Sequence, residues 1–71
     1  MNTDILLRFG QKVRQRRLSL AISQEELAER AGVHRTYVGM IERGEKNITL
    51  RNIVKFAKAL DMPVHNLMKF K

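Results

Sequence analysis

The sequence predicts an all-α fold of five short helices, and three observations predict it. Apolar residues recur at helical steps of three, four and seven almost throughout the chain. No segment has the alternating, β-branched character of a strand, and no Asn-Gly or similar hairpin signal occurs. Glycine and proline are sparse (Gly10, Gly32, Gly39, Gly44 and Pro63), and Gly32, Gly44 and Pro63 stand where helical patterns stop or start. With no repeat, low-complexity tract or linker, the 71 residues read as a single domain.

A first helix is expected from about Asp4 to Ser19, with Asn2 or Thr3 as N-cap and Asp4 at its positive end. Ile5, Leu6, Phe9, Val13 and Leu20 share its apolar face, ringed by Lys12, Arg14, Arg16 and Arg17. Ser23-Gln24-Glu25-Glu26 reads as a capping box opening a second helix, whose inner side carries Leu27, Ala28 and Ala31 and which ends at Gly32. A third helix spans about Arg35 to Arg43, buries Val38 and Ile41, and stops at Gly44. After a loop over residues 45–48, Thr49 caps a fourth helix from Leu50 to Leu60 with the apolar set Leu50, Ile53, Val54, Ala57 and Leu60. Pro63 suits the first turn of a fifth, about Val64 to Lys69.

Composition narrows the function classes. Fourteen Lys and Arg against seven Asp and Glu give a formal charge of +7, a field that attracts polyanions. The cations are not confined to one amphipathic helix, which ranks a membrane-surface role last. No apolar run approaches the roughly 20 residues that cross a bilayer. Met1-Asn2-Thr3-Asp4 lacks the basic start of a signal peptide, so a soluble, cytoplasmic chain is expected. There is no cysteine, and His34 and His65 have no partners at ligand spacing, so neither disulfide nor metal is expected. No activating Ser/His/Asp arrangement and no Gly-rich phosphate loop occurs; the chain reads as no enzyme, and no cofactor is expected. A chain this short buries only about 60% of the surface its unfolded form exposes, so packing or self-association must supply stability.

The informative segment is Gln24 to Gly44, with the two helices of a helix-turn-helix over about 24–43. Ala28, Gly32, Val38 and Ile41, with Gln24 ahead of them, form its steric skeleton. A side chain larger than Ala28 would part the helices, and a Cβ at Gly32 would strain the turn. The stretch Ser23-Gln24-Glu25-Glu26-Leu27-Ala28 through Ile41-Glu42-Arg43-Gly44 resembles the lambda-repressor/Cro (Xre) helix-turn-helix family. Phe9-Gly10 through Arg17 and Leu50 through Leu67 extend the likeness over nearly the whole chain. Arg35-Thr36-Tyr37-Val38-Gly39 and Asn47-Ile48-Thr49-Leu50 most resemble the controller proteins of restriction–modification systems.

The resemblance implies a five-helix, lambda-repressor-like domain whose third helix lies in the major groove of double-stranded DNA. Arg35, Thr36 and Met40 are then the base readers; the Arg35 guanidinium fork matches guanine O6 and N7. Gln24, Tyr37, Arg43, Lys46, Asn47 and Thr49 are expected on the DNA backbone, Gln24 and Tyr37 each through a phosphate. Each single cation has a solvated-face reading of comparable weight; the cluster beside Arg35 favours DNA. Gly39 either leaves room for the duplex or is a tolerated exposed glycine. Arg17 is implied to pair with Glu42 and fix the third helix, while Met40, Met62 and Met68 otherwise read as packing filler. The chain departs from the family at Ala21, where glycine is usual, so that turn either avoids positive φ or is strained. His34 is a weaker N-cap than Ser, Thr, Asp or Asn, and Met40 replaces a polar reader.

One domain this small would bind weakly alone, so an isologous homodimer on a pseudo-palindromic operator is expected. Its interface is expected from Phe56, Val64, Leu67, Met68 and Phe70; the alternative is that Leu67 and Phe70 close the monomer core. The function implied is a transcription regulator that autoregulates a restriction–modification operon, repressing at one site and activating at another, with RNA polymerase as a further candidate partner. A prophage repressor or antitoxin-type autoregulator is the alternative within DNA binding. A protein-binding adaptor on the same fold is the rival from a different class.

Overall fold

A computed structural model describes the backbone of residues 2–70 and the side chains of residues 5–70. Five helices follow in the expected order: α1 (Asn2–Ser19), α2 (Gln24–Ala31), α3 (Arg35–Glu42), α4 (Leu50–Ala59) and α5 (Val64–Leu67). There is no strand among the described residues. α1 opens two residues earlier than expected, and the capping roles assigned to the Asn2, Thr3 and Asp4 side chains lie outside the described residues. α5 closes at Leu67 rather than Lys69.

Local rules account for most boundaries. The Ser23 hydroxyl accepts from the Glu26 backbone N–H at 3.0 Å and the Thr49 hydroxyl from that of Asn52 at 3.2 Å. The reciprocal arm of the capping box does not form. Arg30, one turn on, offers a charged donor, and Glu26 Oε2 accepts from its Nε at 3.1 Å instead. His34 does cap α3: its Nδ1 accepts from the Thr36 N–H at 3.0 Å, which needs that nitrogen unprotonated. Gly32 is left-handed (φ +71), and the Val33 N–H reaches back to the Ala28 carbonyl at 3.0 Å to end α2.

The core forms where the helices converge, around Phe9 and Val13 of α1, Leu27, Ala28 and Ala31 of α2, Val38 and Ile41 of α3, Ile53, Phe56 and Ala57 of α4, and Leu60 just beyond it. Two expectations about apolar faces are corrected. Ile5 is exposed, because the 18-residue α1 outruns the eight-residue α3 and four-residue α5 that it packs on. On α4, Leu50 is 77% and Val54 41% exposed, whereas Phe56 is fully buried. At 3.6 residues per turn Phe56 lies within the arc that also buries Ile53, Ala57, Ala59 and Leu60, about 120–160° away from Leu50 and Val54.

That rotation also corrects the expected dimer surface. Phe56 and Leu67 are both 0% exposed and have no area to offer a partner. Phe70 is half-buried, its ring edge-on to Phe9 with centroids 6.4 Å apart, so the chain end closes the monomer core. Val64 is half-buried and Met68 exposed. The exposed large apolar residues of α4 and the α5 cap are therefore Leu50, Val54 and Met68.

Ala21 adopts the left-handed conformation, φ +58, just beyond α1. A Cβ there crowds the following carbonyl, and a residue in this position is usually glycine. Ala21→Gly relieves that strain but adds freedom to the unfolded chain. The net expectation is a gain of about 0.5–1 kcal/mol, or several degrees in the melting temperature of a domain this size. A thermal melt by circular dichroism checks it, and an unchanged or lowered midpoint would show that the turn is unstrained.

Candidate nucleic-acid interface

Three helices are fastened together by one buried polar network. Arg17, on the last turn of α1, donates from Nε to Glu42 Oε2 at 2.6 Å and from Nη2 to Glu42 Oε1 at 3.1 Å. Its Nη1 donates to the Ile22 carbonyl at 3.0 Å, tying down the α1–α2 connection. Gln24, the first residue of α2, completes the set by donating its amide to Glu42 Oε1 at 3.0 Å. The Arg17 and Glu42 side chains are 9% and 2% exposed, and no buried side-chain polar atom among the described residues lacks a partner. A forked guanidinium on a carboxylate tolerates little rotation, so α3 is set at a fixed angle to α1 and α2. The expected Arg17–Glu42 pair is present, and the part played by Gln24 in it was not anticipated.

The outward face of α3 follows from its period. Val38, Ile41 and Glu42 point inward and Tyr37 is half-buried, leaving Arg35, Thr36, Gly39 and Arg43 on the opposite side with Met40 flanking. Those four line a cleft of about 560 Å³ together with Arg17, Ser23, Gln24 and Glu25 from the neighbouring helices. Two base-reading candidates, Arg35 and Thr36 at the start of α3, thus come together with two backbone candidates, Gln24 at the start of α2 and Arg43 at the C-terminal end of α3. The other candidates sit outside the cleft. Met40 is half-buried, and Lys46, Asn47 and Thr49 are exposed on the α3–α4 connection. Tyr37 packs edge-on against Phe56 at 6.1 Å, and its hydroxyl accepts from Asn52 Nδ2 at 3.0 Å. Its phenolic proton is left to be donated outward.

Gly39 is buried beneath its neighbours although it faces outward. A Cβ there would lie 3.0 Å from Arg43 Nη1 and 3.7 Å from Gln24 Oε1. Glycine therefore keeps a slot open at the centre of the face, into which the Arg43 side chain folds.

Acidic residues stand beside both arginines of this face. Arg35 Nη1 donates to Glu25 Oε2 at 2.7 Å. Arg43 donates from Nε and Nη2 to the two oxygens of Glu45 at 2.9 and 3.2 Å. Those hydrogen bonds hold the Glu45 carboxyl below its ordinary range and, joined by the carboxylate's charge, push the Arg43 guanidinium further up. Sequence reasoning missed Glu25, Glu45 and Asn52. Glu45 lies only two residues from Arg43, but nothing local joins Glu25 to Arg35, ten residues apart on two helices.

Among the described residues no group of three or more His, Cys, Asp or Glu side chains could hold a metal ion. No helix among them is long and apolar enough to cross a membrane.

The network and the cleft fall inside the segment that decides the family: residues 13–67 match the Helix-turn-helix family HTH_3. The chain belongs to that family. It is 51% identical to the control protein C.BamHI of Bacillus amyloliquefaciens over 71 residues, 99% of this chain and 88% of that one. The helix-turn-helix chain superposes on the restriction–modification controller protein C.AhdI of Aeromonas hydrophila with a TM-score of 0.86. That match has 47% identity and covers 87% of this chain and 94% of the other. The master regulator for biofilm formation SinR, solved in complex with DNA, superposes with a TM-score of 0.80 at 37% identity, covering 86% of this chain and 98% of that one.

Proposed function

We propose that this helix-turn-helix chain is a sequence-specific regulator of transcription that binds double-stranded DNA as a homodimer and controls a restriction–modification operon from the cytoplasm. The observation that carries the reading is the outward face of α3. An arginine and a threonine at its N-terminal end stand over an open cleft, and a buried network holds the whole helix at one angle. An α-helix presented in this way fits the major groove with its first residues over the base edges. Arg35 reads guanine, Thr36 hydrogen-bonds a base or touches a thymine methyl, and Met40 makes an apolar contact. Tyr37, Arg43, Lys46, Asn47 and the α2 N-terminus with Gln24 hold the phosphates, with Thr49 beside them. Likeness to two control proteins supports the restriction–modification assignment over the other regulators that share the fold.

Dimerisation draws on the apolar surface that the monomer leaves outside, Leu50, Val54 and Met68 with the half-buried Val64. Two copies place two reading helices on one face of the duplex, about 34 Å apart. Output is set by the regulator's own concentration and by operator arrangement; where it activates, RNA polymerase is the partner.

Selection of binding sites from random DNA tests the whole reading at once. A two-fold symmetric consensus with half-sites one helical turn apart is expected, and an asymmetric or absent consensus overturns it. On the selected site Arg35→Ala is expected to cost about 1–3 kcal/mol and to relax preference at one position of each half-site. Unchanged binding would remove Arg35 from the readout.

A further inference from the structure

We propose that Glu25 is a specificity-determining residue that keeps Arg35 off the phosphate backbone and presents it to a guanine edge. The proposal rests on the reading above and names a residue that reading does not use. Glu25 Oε2 accepts from Arg35 Nη1 at 2.7 Å, with the two side chains 68% and 65% exposed. An ion pair this open contributes little to folding. Its placement is nevertheless fixed. The residue before Glu25 is Gln24, whose amide is bonded to the buried Glu42 at the last residue of α3, so the first turn of α2 is tied to the helix that carries Arg35.

The consequence follows from counting donors. A guanidinium carries five N–H groups in a rigid fork, and Glu25 occupies Nη1 alone, leaving the rest of the fork open towards the cleft. A guanine edge, with two neutral acceptors at O6 and N7, can take a pair of those donors while the carboxylate stays. A phosphodiester cannot do so on equal terms. It brings a second negative charge to a guanidinium that already has one, so it must either displace Glu25 or sit beside it and be repelled. Loss of the Glu25 charge should therefore help any DNA, and help non-specific DNA most. Glu45 stands in the same relation to Arg43 at the other end of the reading face.

The test compares Glu25→Gln with the unaltered chain on the selected operator and on a duplex of scrambled sequence, across a salt series. The expected result is a several-fold gain in affinity for the scrambled duplex. Its salt slope should steepen by about one, and the ratio of specific to non-specific affinity should fall by about two- to threefold, the operator gaining less than the scrambled duplex. The melting temperature should not move. The same substitution made in Arg35→Ala should leave the ratio unaltered, because Glu25 acts through that side chain. An unaltered ratio in the single variant overturns the proposal, as does an equal fall in the Arg35→Ala background, which would mark a general effect of charge. An unaltered chain that binds both duplexes equally would overturn the regulator reading itself and this proposal with it.

Discussion

Glu42→Ala should lower the stability of the folded domain by about 3–5 kcal/mol, the range seen when one partner of a buried ion pair is removed. For a domain of 71 residues the total is on the order of 4–11 kcal/mol, so the variant would sit close to its unfolding midpoint. The cost has two sources. The Arg17 guanidinium, 9% exposed, keeps its charge but loses two of its three hydrogen bonds, and the Gln24 amide loses its acceptor. Urea unfolding followed by circular dichroism measures the loss, and a value under about 1 kcal/mol would show that water reaches the pair and screens it. Replacing both partners together, Arg17→Met with Glu42→Leu, removes the orphaned charge as well as the attraction. That double variant should recover much of the stability. It should not recover discrimination between duplexes, because apolar contact sets no angle between α1 and α3. Stability regained alongside full sequence preference would mean that packing alone orients the reading helix.

The same network marks the boundary of what could be read from the chain. Four of the helix ends rest on rules a few residues long: the hydroxyls of Ser23 and Thr49, the left-handed Gly32 and the pyrrolidine of Pro63 before α5. The Arg17–Glu42 pair spans 25 residues and was legible only through likeness to a family, since no local pattern joins the two positions. Phe56 escaped for a different reason. Placed at the edge of a stripe counted from Leu50, it reads as surface, and only its burial against Tyr37 reveals that the stripe had been drawn about a fifth of a turn off centre. The tie from Arg16 to the carbonyls of Leu60 and Asp61, at 2.9 and 3.1 Å, crosses more than forty residues and left no trace in the sequence. At the candidate interface the basic residues were legible because charge and position survive without coordinates. Their acidic partners were not, because an exposed glutamate is ordinary anywhere.

Gly10→Ala should be among the most damaging of the small substitutions, although glycine inside a helix is normally a liability. A Cβ at this position would lie 2.3 Å from the Ile41 carbonyl oxygen and 2.7 Å from that of Glu42, atoms of the α3 backbone itself. Neither can turn aside as a side chain can, so α1 and α3 would have to part by about 1 Å to restore ordinary contact. Over-packing of this kind typically costs about 1–3 kcal/mol and occasionally more, against a helix-propensity gain near 1 kcal/mol for alanine. Unyielding backbone places this site at the upper end, for a net loss of about 2 kcal/mol. The displacement also falls on the pair directly below, since Glu42 must move away from Arg17. DNA affinity should therefore fall even in the fraction that remains folded, which titration at low temperature would separate from unfolding. Gly39→Ala supplies the contrast within the same helix pair. Its nearest obstacle is the far end of the Arg43 side chain at 3.0 Å, which can swing clear, so the propensity gain should survive and the melting temperature should hold or rise. Equal melting behaviour for the two variants would mean that α1 and α3 are not in backbone contact, and the fixed angle of the reading helix would then need another cause.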